Sequence, residues 1–239
     1  MLTFEELLLE QGDFRLSAGL TLQAGRITAL MGPSGAGKST LLSALAGFLK
    51  PQAGRIKLGG HDLTDAKPQD RGVAMLFQDN NLFPHLTAMQ NVGLGLRPDL
   101  RLSADDRDKI ANALASVGLA ELGERKPAAL SGGQQSRVAL ARVLVSDKPI
   151  VLLDEPFAAL GPALRDEMLD LVATQLTSPQ RVIVMVTHDP SDASRIADDI
   201  VLIADGVAAA PESTARLLAD PPPALAAYLG DGATKKARR

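Results

Sequence analysis

Apolar positions change their spacing along the chain, and that change marks out the elements. Residues 7–31 read as short strands broken near Gly12 and Gly25, with period-two alternation through Phe14 and Leu16 and again through Leu20 and Leu22. Residues 26–31 form a compact, mostly apolar strand that runs straight into glycines, and Leu41, Leu42, Leu45, Ala46 and Leu49 then recur at helical spacing. Residues 54–58 predict a strand followed by a tight turn at Gly59-Gly60, residues 73–77 a buried strand, and residues 82–98 a glycine-rich loop. Ser103 opens a helix with Asp105 and Asp106 in its first turn, an apolar stripe of Ile110, Ala113, Leu114 and Val117, and Gly118 as its stop. Residues 149–153 and 181–187 are strands with unbroken apolar runs, and residues 164–176 between them carry helix spacing. A short helix around Ala193, a last strand at 200–203, a turn at Asp205-Gly206 and a helical region broken by prolines 221–223 complete the pattern. Contiguous apolar strands separated by helices predict a mostly parallel sheet covered on both faces.

Length and composition narrow this picture. The 239 residues fit one large α/β domain, and 46% hydrophobic with 22% charged residues exclude a disordered chain. The absence of cysteine excludes disulfide frameworks, Cys-ligated zinc, iron–sulfur clusters and thiol nucleophiles. A net charge of −3 is too mild for electrostatic steering toward DNA or an anionic membrane, so no nucleic acid is expected as partner. Only the tail is locally basic, with Lys235, Lys236, Arg238 and Arg239 against Asp231. Glu5, Glu6 and Glu10 stand where an export signal would need positive charge. Residues 27–49 carry a single charge, Lys38, but their glycines and proline read as strand, turn and helix rather than a membrane span.

The chemistry concentrates at the ends of the apolar strands. Gly32-Pro33-Ser34-Gly35-Ala36-Gly37-Lys38-Ser39 has the glycine, four residues, glycine, lysine, serine pattern of a phosphate-cradling loop, placed between a strand and a helix. Its glycines let backbone N–H groups converge on phosphate oxygens at a helix N-terminus. Lys38 is expected to reach the β- and γ-phosphates and Ser39 to put its hydroxyl on Mg²⁺. Asp154 ends one buried strand, where a metal-holding carboxylate belongs in an open parallel sheet, and Glu155 beside it is placed to activate water. His188 ends another strand, where an imidazole can meet a γ-phosphate or orient water; with His61 and His85 it shows no zinc-like spacing.

With Leu130-Ser131-Gly132-Gly133-Gln134 added between these segments, the chain resembles the ATP-binding-cassette (ABC) ATPases over about residues 1–210. The resemblance implies a P-loop, RecA-like parallel sheet core, an N-terminal antiparallel β subdomain and an inserted α-helical signature subdomain. It implies a single domain over residues 1–230: a catalytic core of 1–88 and 149–210, a helical subdomain of about 89–148, and a C-terminal extension of 211–239. The cofactors implied are ATP and Mg²⁺. The loop from Gly32 to Ser39, with Thr40, would hold the phosphates, and Ser39, Gln78 and Asp154 the metal. Glu155 would be the general base, Gln78 the link between Mg²⁺, water and a partner subunit, and His188 the switch residue. Two copies would pack head to tail, so that ATP on Lys38 of one is closed over by Ser131, Gly132, Gly133 and Gln134 of the other.

Closer similarity at residues 75–83, Leu86-Thr87 and 91–96 resembles the ATPase subunits of bacterial thiamine importers. That similarity implies a peripheral subunit on the cytoplasmic face of the bacterial inner membrane. Its partners would be a membrane permease and, indirectly, an extracytoplasmic thiamine-binding protein. An importer for another small solute and a non-transport cassette ATPase are the alternatives. Phe83, Pro84, Leu86 and Met89 are either a permease contact or, for Phe83 and Leu86, core. Phe14 is either the aromatic that stacks on adenine or a core residue. Two positions depart from the family pattern: Gly161 stands where the D-loop carries aspartate, and Ser136 where glutamine is usual.

Overall fold

The computed structural model describes the backbone of residues 1–233 and side chains through residue 229, so the basic tail at Lys235, Lys236, Arg238 and Arg239 lies outside the described residues. The chain begins with two antiparallel strands, β1 (Leu2–Gln11) and β2 (Phe14–Leu22), and enters the central strand β3 (Ile27–Met31) before helix α1 (Lys38–Ala46). Strands β4 (Ala53–Leu58), β5 (His61–Asp62) and β6 (Val73–Leu76) follow, then helices α2 (Ala88–Gly93), α3 (Ala104–Ser116) and α4 (Gly132–Val145). Next come β7 (Ile150–Asp154), α5 (Pro162–Leu171), β8 (Val182–Val186), α6 (Pro190–Ile196) and β9 (Asp199–Ala204). The chain ends with β10 (Val207–Ala208), β11 (Glu212–Ser213), α7 (Thr214–Ala219) and α8 (Pro223–Ala233). A π-helical turn, Val172–Leu176, extends α5, so the helix spacing read over 164–176 spans two helix types.

Strands β9, β3, β8, β7 and β6 lie side by side and are all parallel, while β1 pairs antiparallel with β2 and β4. Strand β10 joins the two parts, parallel to β2 and antiparallel to β9. The unbroken apolar runs divide between two cores because successive side chains leave a strand on opposite faces. Val182, Val184 and Val186 face β1, β2, β4 and α1, whereas Ile183 and Met185 face the side holding α2 to α5. Strand β7 splits the same way, Ile150 and Leu152 against Val151 and Leu153. All five side chains of β8 are buried, each contributing about 1.5–3 kcal/mol of transfer free energy.

Helix α1 is fixed at its C-terminus by Arg71, a buried guanidinium that donates to the carbonyls of Ala44, Leu45, Thr64 and Ala66. A cation on the last carbonyls satisfies groups that the helix itself leaves open. The stretch 82–98, expected to be a loop, contains α2. Thr87 and Gln90 form a reciprocal capping box at its start, and Asn91, fully buried, pairs with the backbone of Phe83, Leu86 and Thr87. The helix is six residues long, and these polar contacts act together with Ala88 and Val92, which are fully buried in the core. Among the described residues, no helix is long and apolar enough to cross a membrane.

Candidate functional site

The parallel register brings several chemistry-bearing segments to one edge of the sheet. Leu30 of β3 and Asp154 of β7 both align with Val186 of β8, and Leu76 of β6 aligns with Leu153. The residues that follow, Gly32, Glu155, His188 and Gln78, therefore leave the sheet at its carboxyl edge, where open α/β sheets place ligands.

The loop after β3 turns through three glycines at positive φ, Gly32 (151°), Gly35 (77°) and Gly37 (108°). Lys38 Nζ donates to the carbonyls of Gly32 (2.7 Å) and Pro33 (2.9 Å), so its ammonium is held over the loop mouth. Burial holds the Lys38 pKa below the ordinary lysine value, opposed by the charge of Glu155. A cleft of about 420 Å³ opens here, lined by Ser34, Gly35, Gly37, Lys38, Ser39, Thr40 and Glu155, with Gln11 and Phe14 at its side. Gln11 and Phe14 face each other across the β1–β2 hairpin, whose turn is Gly12-Asp13. A Cβ at Gly37 would lie 2.6 Å from Phe14 Cζ, so the ring rests on the loop itself. Phe14 also packs against the core of β1, β2 and α1, as the core reading expected, while lining the cleft on its other side. Gln11 carries no local motif; its one signal was its place across a hairpin turn from Phe14.

Glu155 is held at φ 45°, a left-handed conformation that costs a non-glycine residue about 1–2 kcal/mol. Its backbone N–H donates to Val186 O (3.1 Å), and its carboxylate Oε2 lies 3.1 Å from His188 Nδ1. An ionised carboxylate only accepts, so this contact assigns the imidazole proton to Nδ1. Asp154, half-buried behind Glu155, has its pKa raised by burial and by the Glu155 charge. The segment around His188 is braced from α5 and α6: Arg165 pairs with Asp189 (3.0 Å) and Asp192, and Thr187 Oγ1 donates to Asp192 (2.7 Å).

The remaining predicted residues lie apart from this cleft. Gln78 is exposed just beyond β6 and is not among the cleft-lining residues. Ser131 caps α4, its Oγ accepting from Gln134 N while Gln134 Oε1 accepts from Ser131 N. Ser131 and Gly132 are exposed, and no atom lies within 4 Å of where a Gly132 Cβ would stand. Gly161 is the N-cap of α5 with an extended backbone and no side-chain cap. Ser136 is buried; it accepts from Asn80 Nδ2 (3.2 Å) and donates to Gly132 O (3.2 Å). Arg142 donates to the carbonyls of Asn80 and Asn81 (2.8 Å each), so α4 grips the loop after β6 at two points. Those partners are distant in sequence and carried no local signal.

The donor set fits a phosphate-bound Mg²⁺. Among the described residues no three carboxylates or histidines cluster to cage a metal, but Ser39 and Glu155 line the cleft, and next to Glu155 stands Asp154, whose charged form burial and the Glu155 charge disfavour. Mg²⁺ is commonly held by one or two carboxylates together with substrate phosphates.

Residues 17–158 match the family model described as ABC transporter. The chain is 60% identical over 230 residues to the thiamine import ATP-binding protein ThiQ of Cereibacter sphaeroides, covering 96% of this chain and 100% of that protein. It is 57% identical over 231 residues to ThiQ of Ruegeria sp. (strain TM1040), covering 96% of this chain and 100% of that one. Its fold superposes on the dimeric post-hydrolysis structure of the ATP-binding cassette MJ0796 bound to ADP and Pi. That match has a TM-score of 0.75 and 30% identity, and covers 90% of this chain and 99% of that one.

Proposed function

Because the chain belongs to the ABC transporter family and is an ATP-hydrolysing importer subunit, we propose that it drives thiamine import as a head-to-tail homodimer on a membrane permease. The observation that carries the hydrolytic part is the meeting of Lys38, Ser39 and Glu155 in one cleft with His188 bonded to Glu155. The cargo rests on the relatives, whose names state thiamine import.

In this reading the loop from Gly32 to Ser39, with Thr40, receives the phosphates, and Lys38 exchanges its two loop carbonyls for phosphate oxygens. Phe14 offers a flat apolar surface beside the loop for the adenine ring. Ser39 and Asp154, with Gln78 once its loop moves inward, would hold Mg²⁺, which when bound neutralises charge on the β- and γ-phosphates. Glu155 accepts the proton of the attacking water, and the Nδ1–H of His188 fixes the carboxylate for that task. Ser131 and Gly132, exposed at the start of α4, with Gly133 and Gln134 next to them, would close over the cleft of a second copy. An N-terminus of a fourteen-residue helix presented to solvent suits a phosphate.

A groove of about 620 Å³, lined by Phe48, Val73, Phe77, Leu82, Phe83 and Arg142, is the proposed seat of the permease. Of the four residues expected there, Phe83 lines it, whereas Met89 packs against the helical core. An extracytoplasmic thiamine-binding protein would act through that permease, and this subunit would then sit on the cytoplasmic face of the membrane.

The test is reconstitution with the permease in vesicles. ATPase activity should rise with thiamine-loaded binding protein, and no response to thiamine overturns the cargo. Glu155→Gln should retain ATP, lose turnover about 100-fold or more, and elute as a dimer with Mg-ATP on size exclusion. Wild-type turnover in that variant overturns the assignment of the base.

A further inference from the structure

The switch segment is braced from one further direction, by the C-terminal helix. Helix α8 is docked through Leu225, which is fully buried in the larger core, and through Leu229, which packs on the same core. Tyr228 shares their face by helical spacing, and its hydroxyl donates to the backbone carbonyl of His188 at 2.9 Å. Burial, together with the negative charges of Glu155 and Asp189, holds the phenol above its ordinary pKa, so it remains a donor across the physiological range.

The neighbours of His188 are fixed by other means. Thr187 is tied to Asp192, and Asp189 to Arg165. The peptide unit after His188 is held at its N–H by Thr187 Oγ1 (3.1 Å) and at its carbonyl by the Tyr228 hydroxyl, the one side-chain donor among the described residues that reaches that carbonyl. A phenylalanine would supply the same apolar packing, so the hydroxyl is the part that packing does not explain.

We propose that Tyr228 is a positioning residue for hydrolysis: by anchoring the His188 carbonyl to the core-docked helix α8, it keeps the imidazole on the Glu155 carboxylate. This rests on the assignment of Glu155 and His188 made above. Without the tyrosine hydroxyl the peptide keeps only its N–H contact to Thr187, so its carbonyl end can tilt and shift the imidazole on Glu155. Loss of geometry at a catalytic pair lowers turnover without weakening nucleotide binding, because the phosphates are held by the loop after β3.

The experiment compares Tyr228→Phe with the wild-type full chain in steady-state ATP hydrolysis, with Glu155→Gln and His188→Ala assayed beside it. In Tyr228→Phe, kcat should fall about two- to tenfold, the scale of one hydrogen bond. KM for ATP should stay within about twofold, and Tm within about 4 °C. An unchanged kcat overturns the proposal. So does a loss in which kcat, KM and Tm deteriorate together, since that marks a purely structural contact. If Glu155→Gln and His188→Ala are inactive while Tyr228→Phe matches wild type, the tyrosine proposal alone fails. If those two variants turn over normally, the underlying catalytic assignment fails with it.

Discussion

At the scale of single residues, two glycines of one loop do different jobs. A Cβ at Gly32 would lie 2.0 Å from the Ile203 carbonyl oxygen of β9, a backbone atom that cannot swing aside, and its φ of 151° suits glycine alone. A Cβ at Gly35 would meet nothing within 4 Å, leaving only the cost of φ 77°. Gly32→Ala should therefore destabilise the fold by at least about 3 kcal/mol, and Gly35→Ala by only about 1–2 kcal/mol. Urea denaturation of both variants measures the difference. Equal losses would mean that the contact with β9 relaxes without cost. The first glycine of a phosphate loop is thus also a packing residue that lets β3 and β9 run close together. Glu155 shows the converse, a non-glycine residue kept at positive φ where its side chain meets the cleft.

Among the elements, helix starts hold the helical part in place. Helices α2, α3 and α4 each begin with a capping box, at Thr87/Gln90, Ser103/Asp106 and Ser131/Gln134. In α3 the partner is a carboxylate, and hydrogen bonds from the Ser103 backbone and side chain, with Arg97 beside it, hold Asp106 below the usual aspartate range. A carboxylate whose folded value is depressed stabilises fully above its unfolded value of about 3.9 and loses that contribution as pH falls through the folded value. The Tm advantage of wild type over Asp106→Asn should accordingly be constant from neutral pH down to about 4 and shrink below that. A thermal-shift series in pH checks it; an advantage that grows in acid would show that Asp106 is not the charged partner of this cap.

Over the whole molecule, the groove lined by Phe48 and Phe83 joins two parts with different neighbours. Phe48, Val73 and Phe77 belong to the side of the sheet that carries α1, whereas Phe83 and Arg142 belong to the helical side. Phe48 is 65% and Phe83 48% exposed, two large apolar side chains left open to solvent on one groove. Arg142, which lines this groove, also grips the loop after β6 through the carbonyls of Asn80 and Asn81, so the groove floor and that loop are held together. The double change of Phe48 and Phe83 to Ser should leave stability within about 0.5 kcal/mol and keep ATP binding, yet abolish recovery of the permease in pull-downs from solubilised membranes. Undiminished recovery would move the docking surface elsewhere.

Local features of the chain carried much of the architecture. Period-two alternation predicted β2, unbroken apolar runs predicted the buried parallel strands, and the acidic first turn after Ser103 predicted α3, whereas β1 starts at Leu2, before the strand region read from residue 7. These are readable because side-chain periodicity and caps are properties of a few consecutive residues. Helix α2 was not, because it is only six residues long, and its capping box and the Asn91 contacts to the preceding loop join its few apolar residues, Ala88 and Val92, in holding it. The strand-loop-helix order around Lys38 and the carboxylates ending β7 were also local. What only the tertiary structure decided is the set of neighbours: Phe14 resting on Gly37, Ser136 and Arg142 holding the loop after β6, Arg165 and Tyr228 bracing the segment of His188. Those contacts join residues up to 62 positions apart, and strand register and helix docking, not local spacing, set which of them meet.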